Sequence, residues 1–332
     1  MARRGRRSLV NRRRLLVVVA CLMVASAACS SGPTPTSTLS PPRSQAPWNA
    51  VSPSGNPTTG PLASQPSASS SPGAMPALSH VYVIMLENRS YSEIVGASDA
   101  PYLNSLIADY GLATKYQSLT HPSQPNYIAL VSGSTQGIAD DGSYDVTAPN
   151  LADQLEAAGK SWADFQQDYP GSCFTGGSAS DGPEGPGTYA RKHNPFISFT
   201  AISADPARCA NITDFSSFDP AAADFELVVP NELNDMHSAS TAQGDAFMRS
   251  FVPRILQNDA WRLGGVLFIT WDEGGGDQVP LIVVSSLTPA GTRSNVIHDH
   301  YSLLRAIEDG FSLPCLANAC SANDLAEFFS GG

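Results

Sequence analysis

Three apolar runs in this chain stop abruptly on acidic or polar residues, and that pattern constrains the fold more than any other feature. His80-Val81-Tyr82-Val83-Ile84-Met85-Leu86 ends at Glu87-Asn88-Arg89-Ser90. Phe225-Glu226-Leu227-Val228-Val229-Pro230 is followed by Asn231, Asn234, Asp235 and His237. Residues 264–271, the longest apolar run of the folded part, give way to Asp272-Glu273-Gly274-Gly275-Gly276-Asp277. Short, unbroken apolar runs read as strands buried on both faces. Open α/β sheets carry their ligand groups just past the carboxyl ends of such strands. The expectation is a doubly wound α/β domain with a mostly parallel sheet, helices on both faces, and a polar site along one sheet edge.

The residues at those ends suit a cation. Glu87 is the first acidic residue of the sequence and sits where a metal carboxylate is expected, although a solvated loop glutamate has the same sequence look. Asp235 and His237, two apart after a strand, suit one metal centre; an Asx-turn with a surface histidine is the plainer reading. Adjacent carboxylates Asp272 and Glu273 are costly unless a cation neutralises them, and the glycines after them let a ligand approach the backbone. His300, in His298-Asp299-His300-Tyr301 ahead of a helix at 302–308, is a further candidate ligand.

Thr120-His121-Pro122-Ser123-Gln124-Pro125-Asn126-Tyr127 supplies the complementary group, a hydroxyl between two prolines. A strand is expected at 113–117 just before it. Proline disfavours helix in the residue preceding it, so the next helix is expected to begin only after Pro125. Ser123 then lies beside a helix N-terminus, where N–H groups and the dipole favour an anion. It is a candidate nucleophile for phosphoryl transfer; the plainer reading is a turn that opens a helix. Gly133-Ser134-Thr135-Gln136-Gly137 is no nucleophile elbow, since Thr135 holds the central position and no strand precedes it. In a long Gly/Pro-rich loop, 168–195, Arg191-Lys192-His193 offers three basic side chains for a phosphate or leaving group, or a local counter-charge.

Helices are expected from Pro101, with Asp99 as cap, at 151–158 with Asn150 as cap, and at 246–256. Further strands are expected at 162–165 and 281–285.

Residues 1–28 hold seven arginines, no acid, an apolar run at 15–25 and small residues before Cys29. That is a signal peptide, of twin-arginine or lipoprotein type, with Cys29 as the candidate lipid anchor. The run is short for a membrane span. Residues 29–77, rich in Ser, Pro and Thr, bury too little apolar surface to fold and read as a disordered tether. The catalytic domain is then 78–332, with an extracytoplasmic location, secreted or lipid-anchored. Removing seven of the 19 Lys and Arg leaves 12 against 30 Asp and Glu, a formal charge of −18. Such a domain does not hold nucleic acid by its overall field. Four cysteines remain, paired here as Cys173 with Cys209 and Cys315 with Cys320; a zinc site is the alternative, without C-x-x-C support.

Taken together, Glu87-Asn88-Arg89-Ser90, His121-Pro122-Ser123-Gln124-Pro125-Asn126-Tyr127, Ala190-Arg191-Lys192-His193, Asn234-Asp235-Met236-His237 and Thr270-Trp271-Asp272-Glu273 resemble the bacterial phosphoesterase family. That family includes acid phosphatases and phospholipases C within the alkaline-phosphatase superfamily. The resemblance implies Ser123 as nucleophile, and Glu87, Asn88, Asp272 and Glu273 around a divalent ion. Asp235, His237 and His300 complete that site, and His121 and His193 lie near the phosphate or leaving group. Arg191, Lys192 and Asn126 are expected to bind substrate. Two-metal superfamily members carry Asp-His where Asp272-Glu273 stands and a wider spacing where Asp235-Met236-His237 stands, so the expectation is confined to one centre. Carboxylates suit Mg²⁺, Ca²⁺ or Mn²⁺, and histidines admit Zn²⁺.

The expected chemistry is hydrolysis of phosphate monoesters, phosphoinositide head groups among them, through a phosphoserine, with His300 or His193 protonating the leaving group. A phospholipase C-type phosphodiesterase is the alternative enzyme, and a surface-tethered binding lipoprotein the non-enzyme. A serine esterase is disfavoured because no G-x-S-x-G elbow is present. A monomer is expected.

Overall fold

The computed structural model describes residues 73–179 and 188–329. The expected export segment, Cys29 and most of the tether lie outside those residues. Twelve strands occur among the described residues: β1 (Val81–Leu86), β2 (Gly111–Ala113), β3 (Tyr116–Gln117), β4 (Trp162–Gln166), β5 (Ser178–Ala179), β6 (Tyr189–Ala190), β7 (Ile212–Thr213), β8 (Phe225–Val229), β9 (Val266–Trp271), β10 (Leu281–Ser285), β11 (Arg293–Ser294) and β12 (His298–Asp299). Eight of them form one sheet in the order β11-β2-β10-β9-β1-β8-β4-β7.

The apolar runs explain its centre. Every residue of β1, β8, β9 and β10 is buried, which requires cover on both faces of the sheet. The block β9-β1-β8-β4-β7 is parallel, and β10 runs against both β9 and β2. Val81 pairs with Val266 and Leu86 with Trp271, so β1 and β9 finish level. Glu87 and Asp272 therefore emerge side by side. The backbone N–H of Asp272 donates to Leu86 O (3.0 Å), and that of Glu87 donates to Asp235 O (2.8 Å), which draws the loop after β8 to the same edge.

Several local expectations are corrected. The single strand expected at 113–117 is two short ones: β2 joins the main sheet, while β3 pairs with β12 in a sheet of two. The helix expected to start after Pro125 runs Ser123–Ser132, with Pro122 as its N-cap. Pro125 is tolerated there because the N–H groups of a first turn have no intrahelical partner to lose. Gly133 ends this helix at φ +68, where a Cβ would stand 2.2 Å from Leu316 O, so no other residue fits.

The Pro101–Asp109 helix has Ala100 rather than Asp99 at its N-cap, and its first N–H groups are satisfied from afar. Asp245 accepts from Tyr102 N (3.2 Å) and Leu103 N (2.8 Å). Asn150 caps Leu151–Ala157 as expected, accepting from Ala152 N and Asp153 N. Disulfides join Cys173 to Cys209 and Cys315 to Cys320. No helix of the described residues is long and apolar enough to cross a membrane.

Candidate active site

Four acids and a hydroxyl meet at the common edge of β1, β8 and β9. Glu87, Asp235 and Asp272 are fully buried and Glu273 nearly so, and Ser123 at the first position of its helix is 1% exposed. Ser123 Oγ lies 3.1 Å from Glu87 Oε2 and 3.3 Å from Glu273 Oε1. A hydroxyl has one proton, so it donates to one carboxylate at a time and is poised between two acceptors. His121 closes the far side, its Nδ1 against Glu273 Oε2 and its Nε2 3.8 Å from Asp277 Oδ1, with half of its side chain exposed.

His193 is brought in by the short turn Arg191–His193. Its Nε2 is 3.2 Å from Glu87 Oε1 and its Nδ1 3.6 Å from Asp235 Oδ2. Glu87, His193 and Asp235 offer three donor atoms within 4.8 Å of one another, a set that can hold a metal ion. The site's own chemistry fits a cation. Burial, then Asp272 and Asp235, push the Glu87 carboxyl well above its ordinary range; burial dominates for Asp235 as well. Burial and the adjacent Glu273 raise Asp272 to about 7. Asp235 Oδ2, Asp272 Oδ2 and His193 Nε2 are buried without a hydrogen-bond partner among the described residues. Burial, Lys192 and His237 hold His193 well below its ordinary value, so its imidazole is neutral, the form that ligates. A divalent ion held there would supply the counter-charge these groups lack.

The backbone is shaped to deliver the acids. Asn88 (φ +50) and Met236 (φ +84), each next to a site carboxylate, occupy the left-handed region that non-glycine residues avoid. Arg89 ties their two loops together, donating to Asn88 O (2.8 Å), Ala239 O (2.7 Å) and Thr241 Oγ1 (3.2 Å).

Other expected site residues stand apart from the reacting centre. Both ring nitrogens of His300 are committed: Nε2 lies 2.9 Å from the carbonyl of Asp272, an acceptor only, and Nδ1 lies 2.9 Å from the Tyr116 hydroxyl. Nε2 therefore carries the proton and Nδ1 accepts from Tyr116, which leaves no lone pair for a metal and no proton for a leaving group. His237 turns Nε2 toward Lys192 Nζ (3.4 Å) and Nδ1 toward Ser238 Oγ (3.1 Å), outside the three-donor cluster. Asn88 reaches the centre through its backbone N–H, which donates to Asp272 Oδ1 (3.2 Å). Asn126 braces the preceding loop: its Oδ1 accepts from Leu119 N and Thr120 N, and its Nδ2 donates to Thr120 O and Pro122 O. Arg191 is buried and donates to Tyr144 O (2.9 Å).

The anion-binding helix terminus is partly filled, since the Gln124 N–H donates to Asp141 Oδ1 (3.0 Å) and Pro125 has no N–H. Burial alone would lower the Lys192 ammonium, yet Glu87, Asp141 and Glu232 hold it above its ordinary value, so it stays charged beside the site. Gly274 answers a close approach of protein, not ligand: a Cβ there would stand 2.6 Å from Ser90 N.

Sequence reasoning assigned no role to Tyr127 or Asp141. Tyr127 donates its hydroxyl to Glu87 Oε1 and stacks on His193 with centroids 5.3 Å apart. Its place at the end of the Ser123 octapeptide was the one available signal.

Comparisons with known proteins bear on the family and the fold. The Phosphoesterase family model matches residues 97–314. A phosphatidylinositol-3-phosphatase of Mycobacterium tuberculosis is 33% identical over 267 residues, 77% of this chain and 84% of that protein. A probable acid phosphatase of Kluyveromyces lactis is 31% identical over 255 residues, 72% of this chain; the chain spans only 60% of the yeast protein's length. Among solved structures, the lipoteichoic acid synthase LtaP from Listeria monocytogenes aligns with a TM-score of 0.52 at 9% identity, covering 78% of this chain and 77% of that one. At such identity the likeness bears on the fold alone, which is the expected α/β arrangement around a mostly parallel sheet. With the match across 97–314 and 33% identity over 267 residues to a relative it largely spans, the chain belongs to the phosphoesterase family.

Proposed function

We propose that this protein is an exported phosphatase that hydrolyses phosphate monoesters through a phosphoserine at Ser123. The observation that carries this reading is the Ser123 hydroxyl held between Glu87 and Glu273, beside the Glu87–His193–Asp235 donor set. The names of the relatives support the monoester reaction, and that of the mycobacterial protein makes a phosphoinositide the first physiological substrate to try. The signal-like N-terminus and two disulfides support export.

A divalent ion on Glu87, His193 and Asp235 would neutralise phosphoryl oxygens and lower the pKa of a neighbouring hydroxyl. One nitrogen and two carboxylates suit Zn²⁺ or Mn²⁺ better than Ca²⁺ or Mg²⁺. Lys192 adds a fixed positive charge. The Ser123 Oγ–phosphorus bond forms as the bond from phosphorus to the alcohol oxygen breaks. The hydroxyl proton passes to Glu273, whose partner His121 is open to solvent and gives a proton to the departing oxygen. Water then attacks the phosphoserine; its oxygen joins phosphorus, Oγ leaves and regains a proton, and inorganic phosphate departs.

The test is an assay of the full chain on p-nitrophenyl phosphate and bis(p-nitrophenyl) phosphate, with and without chelator. Faster monoester turnover, lost on chelation and restored by metal, is expected. Faster diester turnover points instead to a phospholipase C-type enzyme, chelator-insensitive cleavage of acyl esters to a serine esterase, and phosphate binding without turnover to a binding lipoprotein.

A further inference from the structure

A cleft of about 240 Å³ opens beside the candidate active site, and neither the family nor the proposed chemistry accounts for it. Its walls carry the carboxylates of Asp141 and Glu232, the cations of Arg191 and Lys192 and the hydroxyls of Ser143 and Ser178; the rest is two glycines and an alanine. The cleft adjoins the reacting centre on two sides. Asp141 Oδ1 accepts from the N–H of Gln124, the residue after Ser123, while its Oδ2 lies 3.4 Å from Lys192 Nζ. Lys192 belongs to the same turn that delivers His193 to the donor set. A phosphate seated on Ser123 has this cleft as neighbouring space for its alcohol.

The wall chemistry narrows what that alcohol is. Among the described residues no aromatic or large aliphatic side chain lines the cleft, so an aryl or acyl group there would strip water from carboxylates and an ammonium and gain no apolar contact from them in return. The cleft's volume lies below the roughly 300–1,000 Å³ of sites for drug-sized ligands, which limits it to one small unit. Carboxylates that accept, an ammonium that donates and hydroxyls that do both match a dense array of alcohol groups. Arg191 Nε, buried without a hydrogen-bond partner among the described residues, is one more donor at this wall.

We propose that this cleft is the leaving-group subsite and selects phosphate monoesters of polyhydroxylated alcohols. The inference rests on the phosphatase reading above and adds Asp141, Ser143 and Glu232 as specificity-determining residues. Free sugar phosphates and a polyol head group on a lipid present the same chemistry.

The test measures kcat/KM of the full chain on glucose 6-phosphate, on a phosphoinositide monophosphate in phosphatidylcholine vesicles, and on p-nitrophenyl phosphate as aryl reference. Glu232→Gln and Ser143→Ala remove one partner each from a partly exposed wall. The ratio of polyol to aryl kcat/KM is expected to fall about tenfold or more in Glu232→Gln, as for loss of a hydrogen bond to a charged group, and less in Ser143→Ala. A fall on both polyol substrates supports the subsite, and a fall on one identifies the source it serves. A ratio within about twofold of wild type in both variants, or equal losses on polyol and aryl substrates, overturns it. Absence of aryl turnover in the wild-type protein is a different failure, that of the phosphatase reading itself.

Discussion

The proposed reading gives Ser123 the role of nucleophile, and its neighbours are those a weakly nucleophilic hydroxyl would need. Two carboxylates within 3.3 Å of its oxygen accept its single proton in turn, and the donor set that shares Glu87 with it calls for a cation. Tyr127 holds this arrangement together, fixing Glu87 Oε1 through its hydroxyl and His193 through its ring face. Tyr127→Phe keeps the stack and removes the hydrogen bond. Groups that orient metal ligands typically contribute 10–100-fold in affinity or activity, so metal affinity and kcat/KM are expected to fall by about that factor with an unaltered melting temperature. Metal titration of wild type and variant checks this; equal affinities and rates would confine Tyr127 to packing. Ser123, Glu87 and Asp235 were legible as site candidates because each stands at a break in pattern. The commitment of His300 to Tyr116 and to the Asp272 carbonyl was not, since both partners are defined only by tertiary contacts.

At the scale of elements, the strands were legible and the termini of helices only in part. Residues 281–285 form β10 with the expected bounds; β1 and β9 end where their apolar runs meet acids, and β8 ends at Val229 before Pro230 and Asn231. Burial on both faces leaves an unbroken apolar signature, and a polar residue ends it. Caps made by neighbours in sequence, such as Asn150, are readable for the same local reason. The carboxylate over the first turn of Pro101–Asp109 comes from Asp245, 142 residues beyond Leu103, and no local pattern announces it. Proline misled the reading at Ser123, because its penalty falls on helix interiors and not on a first turn whose N–H groups are already unpaired. The split of 113–117 has a similar cause: three residues in one sheet and two in another carry too little periodicity to be told apart.

For the whole molecule, an acidic chain has been folded with several carboxyls sealed inside, and pH governs the consequence. Burial raises Asp164 and Glu226 to about 8, and Asp272 and Glu308 to about 7. A carboxyl raised in the folded state stabilises it below the unfolded value near 4, and that stability is lost as pH climbs through 7 to 8. Each such group costs about 1.4 kcal/mol per pH unit across its window. Thermal unfolding of the chelated protein is therefore expected at its highest temperature in mild acid, falling toward pH 8. Asp164→Asn should flatten that fall, because Asp164 Oδ2 is buried without a partner and only Gln166 steadies its other oxygen. A melting temperature that rises from pH 5 to 8 would contradict this. The central claim, that these distant acids converge to make one alcohol reactive, is tested most directly by acid-quenching the protein during turnover of a phosphate monoester and mapping bound phosphate by mass spectrometry. The account predicts phosphate on Ser123 alone, none in Ser123→Ala, and about a thousandfold or greater loss of turnover in that variant. Undiminished turnover by Ser123→Ala, or phosphate carried on another residue, would contradict it.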